Sequence, residues 1–286
     1  MAKVSGIEVA EAILTKLEKE IAEKSLQPGL AIILAGNDPS SRIYVNNKIK
    51  AADRIGVKAT LYEFSEGELD KCIELLKGLN KDSNVHGVII QHPVYTSWNY
   101  DELLSHLDPQ KDVDGFLENS PFSGATALAV WEMLTAFSLL EGFNKTEEFL
   151  KGKKIVVLGR GRAAGRPIIK LLEEKGFSLE VVTKETENPN NVISSGDVVI
   201  GATGVKNIIN KSNLKKGAYV VGVGLGKEKI DGKDKIYGDI NDEEVSEIAK
   251  LYCPTLGGIG PITIVSLLEN VIQSATHPSL GGKKVS

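Results

Sequence analysis

Short apolar runs alternate with amphipathic segments along this chain, and this alternation predicts an α/β protein. Strands are predicted at 30–34, 58–64, 85–91, 154–158, 179–183, 197–202 and 218–223. Helices are predicted at 7–21, 66–79, 101–107, 125–140, 167–175 and 262–275. A further helix is predicted to begin at a cap formed by Ser40 or Ser41 and to run to residue 55. Strands separated by helices pair in parallel, so we expect mostly parallel sheets.

The pattern divides into two α/β halves joined by the apolar helix at 125–140. A chain of 286 residues is long enough for two domains. We predict an N-terminal α/β catalytic domain of residues 1–122, with the last helix (262–286) packing back on it. Residues 123–261 are predicted to form a Rossmann-type NAD(P)-binding domain, with a cleft between the two domains.

Composition and charge exclude several classes of protein. Apolar residues make up 42% and charged residues 25% of the chain, with a net charge of −4. These values are typical of a globular enzyme and favour neither nucleic acid nor a membrane as partner. Cys72 and Cys253 are far apart, which favours a reduced, cytoplasmic protein. None of the four histidines has metal-ligand spacing, so no metal site is expected.

The chain has 29 glycines, and the densest functional pattern is a glycine string directly after the strand at 154–158. Gly159, Gly161 and Gly165 precede a predicted helix, and Arg160 and Arg162 lie between them. Glycines permit a tight turn, and the N-terminus of the following helix binds a pyrophosphate. A glycine-rich turn without a ligand is the alternative. Thr203, Gly204 and Gly224 follow later strands and are further candidates for cofactor binding.

The end of the next strand bears on which nucleotide is bound. A Rossmann fold that prefers NAD usually has an acid there for the ribose 2′-hydroxyl. This chain has Thr183, Lys184 and Glu185. Lys184 and Arg160 favour the 2′-phosphate of NADP, whereas Glu185 favours NAD. NADP is therefore the predicted cofactor, NAD stays open, and a solvated charge cluster is the alternative.

A second constellation lies in the first half. Tyr44 and Lys48 are four residues apart, so they share one face of the predicted helix. Gln91 ends an apolar strand, and Asp112 and Asp114 lie in a tight loop. The spacing alone is more typical of surface residues than of a site.

Five motifs in order make the chain resemble a known family. They are DPSSRIYVNNK at 38–48, QHP at 91–93, DPQKDVDG at 108–115, the glycine string at 159–167, and LGGIGPIT at 256–263 followed by LLEN at 267–270. The chain is similar to bifunctional methylenetetrahydrofolate dehydrogenase/methenyltetrahydrofolate cyclohydrolases of the FolD type, over residues 5–275.

The resemblance implies a role for each matching residue. Lys48 is the central catalytic residue, Gln91 contacts and tunes it, Tyr44 stacks on the folate, and Asp114 binds the pterin. Four residues of the late motif are implied to close over the substrate: Gly257, Gly258, Pro261 and Thr263. The implied partners are tetrahydrofolate derivatives as substrate and a second copy of the chain in a homodimer.

The implied reaction is NADP-dependent oxidation of 5,10-methylenetetrahydrofolate, followed by hydrolysis to 10-formyltetrahydrofolate. Burial lowers the pKa of a lysine and makes it a base at neutral pH, as this hydrolysis requires. The chain departs from the family pattern near Tyr95, Thr126 and Leu256. A dehydrogenase with weak or absent cyclohydrolase activity and a non-catalytic nucleotide-binding module therefore stay as alternatives.

Overall fold

The computed structural model describes residues 2–230 and 233–276. Its internal contacts group the chain into two compact units. One unit comprises residues 12–125 and 264–286, and contains a three-stranded sheet. The other comprises residues 1–11 and 126–263, and contains a six-stranded sheet. We call them the three-stranded unit and the six-stranded unit.

The three-stranded unit is built on a parallel sheet of order β3-β2-β4. All of β2 is buried, because helices cover a parallel sheet on its faces. Its core includes Ile33, Leu76, Val88 and Leu103. The elements are α1 (Gly6–Lys24), β2 (Gly29–Leu34), α2 (Pro39–Ile55), β3 (Lys58–Glu63), a 3-10 turn (Glu66–Glu68), α3 (Leu69–Lys81), β4 (Gly87–Gln91), α4 (Tyr100–Ser105) and a 3-10 turn (Pro109–Lys111).

The six-stranded unit has a fully parallel sheet of order β1-β11-β8-β7-β5-β6. Its elements are β1 (Ala2–Lys3), α5 (Ala125–Leu140), α6 (Thr146–Leu150), β5 (Ile155–Leu158), α7 (Gly165–Glu174), β6 (Leu179–Val182), α8 (Pro189–Ser195), β7 (Val198–Gly201), β8 (Tyr219–Gly222), β9 (Leu225–Ile230), β10 (Lys233–Gly238), α9 (Asp242–Ile248) and β11 (Leu251–Cys253). The last helix, α10 (Ile259–Thr276), begins in this unit, and its residues from Ile264 onward group with the three-stranded unit. The strand order reverses direction at β5, which lies between β6 and β7. Open α/β sheets bind ligands at such a point.

The predicted fold class is confirmed, and the predicted elements are present with ends that shift by a few residues. The cap of α2 was predicted wrongly. Asp38 is the N-cap, because its carboxylate accepts the backbone N–H of Ser40 at 3.0 Å, and Pro39 occupies the first helical position. Ser41 instead lies inside the helix, and its hydroxyl donates to the carbonyl of His92 at 3.4 Å.

Several short elements were not predicted. Strand β1 has two residues and pairs with β11, which lies about 250 positions away in the sequence. Strands β9 and β10 form an antiparallel pair outside the main sheet. No local sequence pattern predicts a two-residue strand, because such a strand is stabilised by its pairing partner and not by its own residues.

The predicted domain limits differ from the grouping of contacts chiefly at the N-terminus of the chain. Residues 1–11 were predicted to belong with the first half, but they group with the six-stranded unit, because β1 extends its sheet. Residues from Ile264 onward group with the three-stranded unit. There, the side-chain amide of Asn270 donates to the carbonyls of Val113 at 2.9 Å and Ser123 at 3.0 Å. Residues 277–286 of the predicted first domain lie outside the described residues.

Within residues 2–230 and 233–276, no helix is long and apolar enough to span a membrane. The same residues contain no group of three or more His, Cys, Asp or Glu side chains that could hold a metal ion.

Candidate active site

Lys48 lies buried on α2, in the three-stranded unit. Its side chain is reached by Gln91 at the carboxyl end of β4, and Nζ donates to Gln91 Oε1 at 3.0 Å. Gln91 Nε2 donates in turn to the carbonyl of His92 at 2.9 Å. This second bond determines which end of the amide faces the lysine, so the carbonyl oxygen is presented to the amine.

Burial controls the protonation of Lys48. An ammonium group taken out of water is disfavoured, so burial lowers the pKa of Lys48, while the charge of Asp114 acts in the opposite direction. Burial also raises the pKa of Asp114, and the charge of Lys48 opposes that shift. The charge of each side chain therefore affects the pKa of the other. Because burial is the larger effect at Lys48, its amine loses its proton more readily than the amine of a free lysine does.

Asp112 and Asp114 lie in the loop between the second 3-10 turn (Pro109–Lys111) and α5. The sequence did not distinguish between these two acids, but their surroundings in the structure differ. Asp112 is fully buried, and its Oδ2 accepts the backbone N–H of Leu117 at 2.7 Å, which shapes the loop. Asp114 is half-buried. Asn270 holds the carbonyl of Val113, the residue between the two acids. The structure therefore gives Asp112 a structural role and leaves Asp114 as the candidate for substrate binding.

Tyr44 precedes Lys48 by one helical turn on α2. Its ring is 42% exposed, in contrast to the buried amine. An exposed aromatic ring next to a buried base offers a planar surface for stacking. The unit thus combines Tyr44, Lys48, Gln91 and Asp114, the four residues predicted to be catalytic.

The glycine string forms the turn between β5 and α7, at the point where the strand order reverses. Gly159 has φ +97°, and a Cβ there would lie 2.5 Å from the carbonyl oxygen of Ala202. A Cβ on Gly165 would lie 2.3 Å from the carbonyl oxygen of Gly159, so only glycine lets the helix start this close to the strand. A Cβ on Gly161 would meet none of the described heavy atoms within 4 Å. The turn therefore leaves open space beside Gly161.

Charged side chains surround this turn. Arg160, Arg162 and Lys184 are exposed. At the end of β6, the Thr183 hydroxyl donates to Glu185 Oε2 at 2.6 Å, and this bond holds the pKa of Glu185 below its usual range. Both a cationic and an anionic group are thus present near the position that distinguishes NADP from NAD, as the sequence indicated.

Thr203, Gly204 and Gly224 follow the carboxyl ends of β7 and β8. The Thr203 hydroxyl donates to Asp239 Oδ1 at 2.6 Å, so its proton is already used within the protein. Asp239 directly follows β10 and is fully buried. The sequence analysis did not identify this residue, because its hairpin was itself not predicted.

The late glycine motif is only partly a loop. Gly257 and Gly258 precede α10, but the helix begins at Ile259, so Pro261 and Thr263 lie in its first turns. A proline is tolerated there because the first helical N–H groups have no partner within the helix. The Thr263 hydroxyl donates to the carbonyl of Ile259 at 3.2 Å. All four residues belong to the six-stranded unit.

A parallel sheet with a glycine turn at its reversal point defines a Rossmann-type dinucleotide-binding protein. Comparison with known families identifies which one. The model of the tetrahydrofolate dehydrogenase/cyclohydrolase catalytic domain matches residues 4–114, and that of the NAD(P)-binding domain of the same family matches residues 125–279. The chain belongs to the tetrahydrofolate dehydrogenase/cyclohydrolase family.

Individual relatives agree with this assignment. The bifunctional protein FolD of Caldanaerobacter subterraneus subsp. tengcongensis is 31% identical over 271 residues, which cover 95% of both chains. That of Streptococcus pyogenes serotype M5 is 34% identical over 277 residues, covering 93% of this chain and 95% of the relative.

Solved structures are similar along nearly the whole chain. The bifunctional FolD enzyme of Campylobacter jejuni has a TM-score of 0.85 at 31% identity, covering 97% of this chain and 99% of that one. The Trypanosoma brucei methylenetetrahydrofolate dehydrogenase-cyclohydrolase, solved with NADP and an inhibitor, has a TM-score of 0.85 at 27% identity, covering 97% and 98%. The resemblance inferred from the motifs is confirmed.

Proposed function

We propose that this protein oxidises 5,10-methylenetetrahydrofolate with NADP and hydrolyses the resulting 5,10-methenyltetrahydrofolate to 10-formyltetrahydrofolate. The observation that carries the proposal is the buried Lys48, whose amine is bonded to Gln91 at 3.0 Å and whose pKa is lowered by burial. The names of the relatives support it, since bifunctional FolD proteins share the whole length of the chain.

The six-stranded unit fits a dinucleotide. The turn at Gly159 and Gly165 admits no Cβ, space is open beside Gly161, and the ten-residue α7 begins at Gly165, directly after this turn. Arg160 and Lys184 supply cations for a 2′-phosphate. When bound, NADP supplies the acceptor for the hydride. The protein's contribution to this step is to bind and orient the two reactants.

The three-stranded unit would perform the hydrolysis. Lys48, as the neutral amine, takes a proton from the water whose oxygen forms a bond to the methenyl carbon. The bond from that carbon to N5 then breaks with its electron pair going to N5, and the lysine returns the proton to N5. The remaining hydroxyl proton is released to solvent as the formyl C=O bond forms. Gln91 orients the amine without adding charge, Asp114 accepts hydrogen bonds from the aminopyrimidine edge, and Tyr44 stacks on the folate.

A single assay tests the two steps separately. Methylenetetrahydrofolate is supplied with NADP or with NAD, and reduced nicotinamide and the methenyl compound are followed by their separate absorbances. The proposal expects reduced nicotinamide to form with NADP and the methenyl compound to be consumed. Accumulation of the methenyl compound would instead support the dehydrogenase with weak or absent cyclohydrolase activity. No reduction with either nucleotide would leave the non-catalytic binding module.

We further propose a homodimer. Leu225 and Ile236 lie on one face of the β9–β10 hairpin and are 44% and 47% exposed, and neighbouring exposed apolar side chains are typical of an interface. Light scattering of the purified protein and of Ile236→Lys tests this, because a monomeric native protein would contradict it.

The two free thiols, Cys72 and Cys253, support a reducing cytoplasmic location, which cell fractionation would test. There, 10-formyltetrahydrofolate would serve formyl transfer, including purine biosynthesis.

A further inference from the structure

A buried carboxylate at the end of the β9–β10 hairpin has no part in the chemistry described above. Asp239 follows β10 directly, and none of its surface is exposed. Its backbone is held as well, since its N–H donates to the carbonyl of Gly224 at 3.2 Å and its carbonyl accepts from Ile209 at 2.9 Å. The backbone that carries the side chain is therefore held by Gly224 and Ile209.

The Asp239 carboxylate accepts four hydrogen bonds from two separate loops. Oδ1 accepts the Thr203 hydroxyl at 2.6 Å and the N–H of Val205 at 3.1 Å. Oδ2 accepts the N–H of Thr203 at 3.1 Å and the N–H of Gly224 at 2.8 Å. Thr203 and Val205 belong to the loop after β7, and Gly224 belongs to the segment after β8.

Only a carboxylate satisfies this arrangement. Both oxygens face donors, so an amide in the same place would turn its NH₂ group towards two of them. Burial raises the pKa of Asp239, and the hydrogen bonds from Thr203, Gly224 and Gly204 oppose that shift by favouring the ionised form. Burying a charge is costly, so its presence calls for an explanation beyond packing.

Two glycines make room for the carboxylate. A Cβ on Gly224 would lie 2.2 Å from Asp239 Oδ2, and a Cβ on Gly201 would lie 2.9 Å from its Cβ. Gly224 was predicted to contribute to cofactor binding. In the structure, the space beside Gly224, and beside Gly201, is filled by Asp239.

We propose that Asp239 is a positioning residue for the nucleotide site. It holds the loop after β7 and the segment after β8 in one arrangement at the carboxyl edge of the sheet. Gly159 of the nucleotide turn packs against this same loop, since its Cβ would lie 2.5 Å from the carbonyl oxygen of Ala202 and 3.2 Å from Thr203 Cγ2. The inference rests on the proposed function, because it assigns Asp239 to the binding of the nucleotide.

The main test compares two isosteric variants in the same unit. Asp239→Asn should raise the dissociation constant of NADP about tenfold, which corresponds to the loss of one ordinary hydrogen bond. The control is Asp197→Asn, at the amino end of β7, where the carboxylate accepts the N–H of Lys154 at 2.9 Å and pairs with Lys215. It should lower the melting temperature but leave the dissociation constant within about twofold. The constant is measured by titrating NADP into the protein without folate, so a failure of the folate chemistry leaves this readout intact.

The outcomes separate positioning from general stability. Equal effects of Asp239→Asn and Asp197→Asn on NADP binding would overturn the proposal, as would an unchanged constant in Asp239→Asn. Should Asp239→Asn not fold, Thr203→Val removes one of the four bonds and Thr203→Ser keeps it. The valine variant should bind NADP more weakly than the serine variant, and equal binding by the two would overturn the proposal. A wild-type protein that does not bind NADP would overturn this inference and the proposed function together.

Discussion

Replacing Lys48 by methionine should separate the stability of the site from its activity. Methionine has a similar length and no charge, so it fills the same volume on the buried side of α2. The change leaves Gln91 Oε1 without the donor at 3.0 Å, which costs about 0.5–1.5 kcal/mol. It also removes the cost of burying an amine whose pKa is already lowered by burial. The two effects oppose each other, so the melting temperature should move by no more than about 4 °C.

The activity should change far more. General base catalysis contributes about 10²–10⁴ in rate, or roughly 2.7–5.5 kcal/mol in activation free energy. The hydrolysis of added methenyltetrahydrofolate, followed by its loss of absorbance, should therefore fall by at least about 100-fold in Lys48→Met. Lys50→Met is the matched control, because it makes the same substitution at an exposed position two residues further along α2. An unchanged hydrolysis rate in Lys48→Met, or an equal loss in both variants, would refute the assignment.

Three further predictions concern the nucleotide site and the stability of the fold. Lys184→Ala should weaken the binding of NADP more than that of NAD, and titrations showing equal effects would argue against recognition of the 2′-phosphate. Gly165→Ala should cost about 1–3 kcal/mol of stability, because its Cβ would lie 2.3 Å from a backbone oxygen; Gly78→Ala, in a helix with open space around it, should be neutral or stabilising in the same melting experiment. His86 Nδ1 accepts the N–H of Gly29 at 3.0 Å, and burial lowers its pKa. The unfolded state therefore binds the proton more readily, so this stability is complete above the unfolded pKa of about 6.5 and is lost progressively as the pH falls from there through the lower pKa of the folded state. The melting temperature of the native protein should drop from pH 7.5 to 5.5 by more than that of His86→Gln, and parallel curves would contradict this.

Local patterns predicted the long elements well. Helix α5 occupies residues 125–140, the predicted range, because a continuous apolar segment with helical spacing has few alternatives. The end of α2 at Ile55 was also predicted, and Gly56 follows it with φ +83° as a helix C-cap. The start of the same helix was not, since Asp38, Ser40 and Ser41 are all suitable caps. Tertiary contacts decided among them, since the hydroxyl of Ser41 bonds to His92, which follows β4, while the carboxylate of Asp38 caps the helix.

The candidate site shows the same division. The helical spacing of Tyr44 and Lys48 was evident, but it could not indicate that one ring is exposed while the amine is buried. Asp112 and Asp114 were equivalent in the sequence, and the hydrogen bond from Leu117 to Asp112 distinguishes them. No sequence pattern predicted a role for Asp239, because the groups that donate hydrogen bonds to its carboxylate lie 15–36 positions earlier in the chain.

The sequence by itself therefore determined the α/β class, the position of the glycine turn and the family, since each depends on short motifs in a fixed order. Only the tertiary structure decided which polar groups are buried and with which partners. Burial is a property of packing between distant segments, and it sets the pKa directions of Lys48 and Asp114. The same packing turned Asp239, an unremarked residue at the end of a hairpin, into the acceptor that joins two loops of the six-stranded unit.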